Sequence, residues 1–171
     1  MGDPTPGPLD ALIARLRRIL HDPAGATQQF SDAALTELLE AHRTDVEDTV
    51  LTAYTAHVFA ASVGDWADDV VLTDGSGVEL TPDAGSNIAG RWTFDDAPGT
   101  VLLSGRGYDV HAAAADAFTE WASALALQID FTADGASYHL SQQREAMLEQ
   151  ARMQRAQARQ MHSLWLRTDT R

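Results

Sequence analysis

Two kinds of periodicity divide this chain of 171 residues, and their order limits the folds open to it. In "PLDALIARLRRILHD", Leu9, Leu12, Ile13, Leu16, Ile19 and Leu20 recur at helical spacing, and Pro8 suits a first turn. A short loop, "DPAGATQQ", leads into "FSDAALTELLEAHR". There Ser31 is the expected N-cap, and Phe30 and Leu35 hold the two positions of a hydrophobic staple. Helices this close in sequence predict an antiparallel hairpin over 9–43, behind a Pro/Gly-rich leader at 1–8. From 48 to 104 the texture changes to β-branched and aromatic runs broken by Gly, Asp and Pro, with a hairpin signal at Asp74 to Gly77. The first of these runs, "TVLTAYTAHVFA", fits a strand or a helix, since Val50, Leu51, Tyr54, Val58 and Phe59 suit both.

Helical spacing returns in "YDVHAAAADAFTEWASALALQID", through Val110, Ala113, Ala114, Ala117, Phe118, Trp121 and Leu125. This predicts a core helix over 109–129, capped by Asp109. Its alanines allow a neighbour to pack closely. A last helix is expected over 141–165, with Ser141 as N-cap and a thin apolar stripe of Met147, Leu148, Ala151, Ala158, Met161 and Trp165. It either docks on a partner through that stripe and its arginines or packs on its own domain. The fold class expected is mainly α (α+β): a small helical bundle with an inserted antiparallel β-hairpin or small sheet and a long C-terminal helix.

With 44% hydrophobic residues the chain is long enough for one domain to bury roughly two thirds of its unfolded surface. It has no cysteine, which removes disulfides, thiolate metal sites and cysteine nucleophiles. "MGDPTPGPLD" lacks the basic and apolar regions of a signal peptide, and Pro6 stands where a myristoylation signal needs Ser or Thr. Asp116 and Glu120 interrupt the most apolar stretch, Val110 to Ile129, so a buried globular helix is expected there and not a membrane span. A soluble protein is the expectation.

Charge is uneven. Residues 1–143 carry 6 arginines and 22 acids, or −16; residues 144–171 carry 6 arginines and 3 acids, or +3. An acidic body argues against ordinary nucleic-acid binding, which rests on Lys and Arg neutralising phosphates. It is compatible with a surface past which DNA slides without sticking.

No catalytic constellation is legible. Counted as a calcium loop from Asp130, the chain offers Asp130, Thr132, Asp134 and Gly135 in suitable places, but Ser141 where a bidentate glutamate belongs. A joint between helices, with an extended step at Phe131 and a turn at Asp134-Gly135, uses the same residues without an ion. "SGRGYDV" has Val110 at the third glycine of a dinucleotide fingerprint, and "GASYH" has His139 at the last glycine of a nucleophile elbow. Turns account for both. His21, His42, His57, His111, His139 and His162 form no ligand pair, and Asp65, Asp68 and Asp69 read as a solvated acidic turn. Trp66, Trp92, Trp121 and Trp165 are candidate interface anchors, Trp121 being better suited to the core. No cofactor or metal is expected.

Tyr108-Asp109, the alanine run ending in Asp116, Trp121, Asp130-Phe131, Asp134-Gly135, Ser137 and Ser141-Gln142 follow one another in "YDVHAAAADAFTEWASALALQIDFTADGASYHLSQQ". In order and spacing this stretch resembles the head–tail adaptor, or connector, proteins of long-tailed bacteriophages, prophages and gene transfer agents. A weaker likeness covers "VGDWADDVVL" and "GRWTF", so the resemblance spans most of the chain after about Tyr54. Where that family often has a leucine-rich stretch, this chain has "AFTEWASALAL". The resemblance implies a non-enzymatic virion protein of the neck. It would form a ring, usually of twelve copies, beneath the portal protein, extending the DNA channel and receiving a stopper or tail-completion protein. It also implies structural roles for Tyr108, Asp109, Asp116, Trp121, Asp130, Phe131, Asp134, Gly135 and Ser141. The candidates for portal docking are Arg144, Arg152, Arg155, Arg159 and Trp165. The main rival, motivated by the −16 body, is an acidic DNA mimic that occupies a nucleic-acid enzyme. A hydrolase with a carboxylate site is a third reading, and no motif directs carboxylates toward one pocket.

Overall fold

A computed structural model describes residues 7–126, 131–133, 136–138 and 140–168, with side-chain surroundings over 7–126 and 140–158. Helix α1 (Asp10–Leu20) buries Leu12, Ile13, Leu16, Arg17 and Leu20, and His21 closes it in the left-handed conformation (φ 54°). Pro8 lies ahead of the helix, where its carbonyl accepts the Asp68 N–H. Helix α2 (Asp32–Glu40) begins at Ser31, whose hydroxyl accepts the Ala34 N–H at 3.1 Å. Phe30 and Leu35, the predicted staple, are both buried in the same core.

Seven strands follow: β1 (Arg43–Val50), β2 (Thr52–Ala53), β3 (Val58–Ala60), β4 (Val71–Asp74), β5 (Ala84–Ser86), β6 (Arg91–Thr93) and β7 (Val101–Tyr108). They form two antiparallel sheets, ordered β1-β7-β4 and β2-β3-β6-β5. Helix α3 (Val110–Ala126), a hairpin of β8 (Phe131–Ala133) and β9 (Ala136–Tyr138), and helix α4 (Leu140–Thr168) complete the order.

The expected mainly α bundle with a small β insertion is therefore wrong. With about 40% helix and 24% strand the chain is a mixed α/β protein. The small antiparallel sheet expected over 48–104 understated the β content, because five of the seven strands have only two to four residues, too few to register a period of two. β1 starts at Arg43, not near 48, and its polar sequence follows from its position at a sheet edge, where most of its side chains are exposed. The ambiguous first run resolves into strands: Thr52 and Ala53 pair with Ala60 and Phe59. The Asp74 to Gly77 hairpin is present. The Asp74 carboxylate accepts both the N–H and the hydroxyl of Ser76 and the Val78 N–H, bonds that also hold its pKa below the usual carboxylate range.

Two cores result. The helical core joins α1, α2 and α3 with Tyr108, Ala67 and Ala151; the sheet core gathers Leu51, Phe59, Val63, Trp66, Leu72, Trp92, Phe94, Val101 and Leu103. Trp66 and Trp92, candidate interface anchors from sequence, are 3% and 2% exposed. Their indole N–H groups donate to Val63 O and Asn87 Oδ1, so both belong to the interior.

Arg17 fixes the α1–α2 connection. Its guanidinium, 8% exposed, donates to Asp32 Oδ1 at 2.7 Å, to Phe30 O at 2.9 Å and to Asp22 O at 3.1 Å. Asp22 is itself buried and accepts the Gln29 and Phe30 N–H groups at 2.6 and 2.9 Å. Removing the cation strands a buried carboxylate. Arg17→Ala is expected to cost about 3 kcal/mol in urea unfolding, against under about 0.5 kcal/mol for Arg18→Ala on the outer face of the helix. Equal losses would show that the buried network does not hold the loop.

Candidate functional site

Of the residues that carried the resemblance, Tyr108, Asp109, Asp116 and Trp121 lie on β7, at its junction with α3, and on α3, and Phe131, Ser137 and Ser141 on β8, β9 and α4. Tyr108 ends β7 with 1% exposure, and its hydroxyl donates to Glu40 Oε1 at 2.9 Å. Burial, helped by that bond, pushes its pKa up to about 12, so it is a donor at neutral pH. Asp109 turns the chain from strand to helix: its carboxylate accepts the Ala112 N–H at 2.8 Å, the predicted cap. "SGRGYDV" is thus a strand-to-helix turn.

Along α3, Ala113, Ala114 and Ala117 are fully buried, and α4 packs against this helix with Met147 and Ala151 in the helical core; Ala158 of α4 is buried as well. Small residues on both sides let the two backbones approach. Polar contacts then fix their relative positions. His111 Nδ1 meets Gln154 Oε1 at 2.7 Å, and Asp116 takes His42 Nε2 at 2.8 Å on one oxygen and Arg155 on the other. Asp116 thereby links the end of the α2 region, α3 and α4. Trp121 stands edge-on to Phe30 with centroids 6.4 Å apart, joining α3 to the loop before α2.

The candidate docking residues separate. Arg144 and Arg152 face outward, Arg152 beside Glu149 at 3.0 Å, whereas Arg155 is engaged by Asp116. The side chains of Arg159 and Trp165 lie outside the described residues, although α4 continues through both positions. Asp130, Asp134 and Gly135 also lie outside them. The strands on either side pair Phe131 with Tyr138 and Ala133 with Ala136. Ser141 sits inside the first turn of α4, which starts one residue earlier than expected. His139 and the side chain of His162 lie outside the described residues.

The acidic turn does not gather. Asp68 accepts from Asn87, Asp69 from Arg106, and Asp65 points into the interior. Among the described residues no group of three His, Asp or Glu side chains is placed to hold a metal.

Asp65, expected in a solvated turn, is instead buried. It is 1% exposed, has a left-handed backbone (φ 61°) and lies 3.1 Å from Arg15 Nη1. Burial pushes its pKa up to about 6 against the opposing pull of Arg15 and His111, and the Asp109 charge adds to the rise. No sequence signal marked it, because its left-handed backbone and its burial both depend on the closed fold.

No protein-family model, no curated protein and no solved structure matches this chain.

Because the folded-state pKa of Asp65 is raised, its contribution to stability is full below the unfolded pKa and is lost as pH rises through about 6. The chain should therefore gain about 1 kcal/mol from this group between pH 7 and pH 5. Urea unfolding of the parent and of Asp65→Asn at both pH values isolates it. Identical pH dependence in the two proteins would count against a raised pKa.

Proposed function

We propose that this chain is a head–tail adaptor: a structural protein of the virion neck. It forms a ring beneath the portal, extends the DNA channel and receives a stopper or tail-completion protein. The observation that supports the reading is that, among the described residues, those of the stretch resembling adaptors have structural duties at the packing of β7, α3 and α4. Asp109 caps α3, Tyr108 anchors the β7 end, the alanines seat α4, and Asp116 ties α4 to the body.

The division of charge supports the same reading. An acidic body lining a channel repels DNA and keeps it mobile. The exposed arginines Arg144 and Arg152 present cations on the outer face of α4, toward a portal surface that offers carboxylates. Arg155 belongs to the internal tie, so a docking variant must spare it.

Mass spectrometry of purified particles from the source is expected to find this chain at a copy number close to that of the portal subunit. Absence from particles that contain portal would remove the adaptor reading and favour an acidic mimic acting on a nucleic-acid enzyme. Arg144→Glu with Arg152→Glu should lower capture by the portal about tenfold while the melting temperature stays within a few degrees. Undiminished capture would place the portal surface elsewhere.

A further inference from the structure

We propose that the Asp65 carboxylate is a proton-operated clasp: neutral, it holds the entry of α1 against the segment between the two cores, and ionised, it lets that entry lift away. The device belongs to the single chain and stands apart from any assembly the chain joins.

The carboxylate is sealed in and short of hydrogen bonds. Asp65 is 1% exposed, and among the described residues no N–H or O–H is in hydrogen-bond geometry to its Oδ1. Arg15 Nη1 comes within 3.1 Å of that oxygen, but the arginine side chain is 30% exposed and already partly in water. Three charged or titratable groups act on the carboxylate: Arg15 from α1, and Asp109 and His111 from the start of α3. Arg15 and His111 favour the ionised form and Asp109 opposes it. Tyr108 gives only its backbone N–H to Asp65 O and spends its hydroxyl on Glu40. On the remaining side Ile88 and Asn87 meet the segment through backbone carbonyls and the neutral Asn87 amide. A buried charge without full hydrogen bonding carries a free-energy cost that hydration removes.

Water reaches Asp65 at least cost from the α1 side. The segment is bound to β7 by the Ala67 N–H to Arg106 O and the Tyr108 N–H to Asp65 O, and to residues 87–88 by the Asp65 and Trp66 N–H groups. Toward α1 it has one backbone bond among the described residues, Asp68 N–H to Pro8 O at 3.0 Å, besides the Arg15 contact. Leu12, Leu16 and Leu20 stay anchored in the helical core, so the movement is that of the turn at 7–9 and the Arg15 side chain. Burial pushes the pKa of Asp65 up to about 6, from an ordinary value of 3.8 that it regains when hydrated. Opening is therefore rarest below 3.8, grows about tenfold per pH unit above it, and levels off at about 6.

Native-state hydrogen exchange of the full chain reads the clasp at one amide. Corrected for the intrinsic exchange rate, the Asp68 N–H is expected to be about tenfold less protected at pH 7 than at pH 5, independently of urea below the unfolding transition. The Ala67 N–H, held by β7, should stay better protected and follow the urea dependence of global unfolding. Asp65→Asn, whose side chain tolerates the left-handed backbone, should abolish the tenfold change at Asp68. Arg15→Gln removes a cation that favours the ionised form, so the levelling-off should move above pH 6, while Arg15→Lys leaves it in place. An Asp68 amide equally protected at both pH values, or an unaltered pH response in Asp65→Asn, would overturn the clasp. So would Asp68 and Ala67 amides that exchange together with the urea dependence of unfolding.

Discussion

Five residues, Gly64 to Asp68, hold the two cores of this protein in one structure. Along them the Asp65 N–H donates to Ile88 O, Trp66 to Asn87 O, Ala67 to Arg106 O and Asp68 to Pro8 O, while the Tyr108 N–H donates to Asp65 O. The segment thus ties the second sheet, the central strand of the first and the entry to α1. Its side chains divide the same way, Trp66 into the sheet core and Ala67 into the helical one. Such close threading needs bare backbone. A Cβ on Gly64 would lie 2.2 Å from Ile88 O, and one on Gly90, itself at φ 60°, would lie 2.4 Å from Val63 O. The left-handed Asp65 is a consequence of this path. It carries a carboxylate into the boundary between the cores, where Arg15 reaches it from α1.

The two ends of the helical body are held with different strength. α1 and α2 bury leucines and an isoleucine, and Phe30 joins them from the loop between, each worth about 1.5–3 kcal/mol when taken from water. α4 offers α3 chiefly alanines, which bury little area, and its ion pair with Asp116 is half exposed and so contributes under about 1 kcal/mol. The α3–α4 seam is well fitted but shallow. The small size of these contact side chains explains why the apolar stripe looked thin in the sequence.

The sequence displayed what depends on near neighbours. Helix spans, the caps at Ser31 and Asp109, the turn at Asp74 and the alanine packing face are set by residues within one or two turns of each other, and all were readable. Pairings between distant segments were not. β7 draws partners from Arg43 and Val71, and no local pattern reports that Val50 sits opposite Leu102. Arg17 and Asp65 were missed for the same reason: a charged residue on a helix or in a turn looks solvated until the fold closes over it. Arg155 looked like a docking residue because Asp116, which engages it, lies far back in the sequence.

The fold sharpens the charge asymmetry of the sequence. Arg15, Arg17, Arg43 and Arg106 are each drawn to carboxylates of the helical body or of the junction around β7, while Arg91 lies over the Tyr54 ring. Little cationic charge then remains to offset Glu47, Glu79, Asp95 and Asp96 in the sheet half. Residues 43–108, which form the sheets, hold 11 acids and 3 arginines, or −8, half of the −16 of residues 1–143, while residues 144–171 carry +3. Screening over about 8 Å at physiological salt confines each field to its own region. The acidic charge is thus shared between the sheets and the helical body, and the one net-cationic stretch of the chain lies in its last 28 residues.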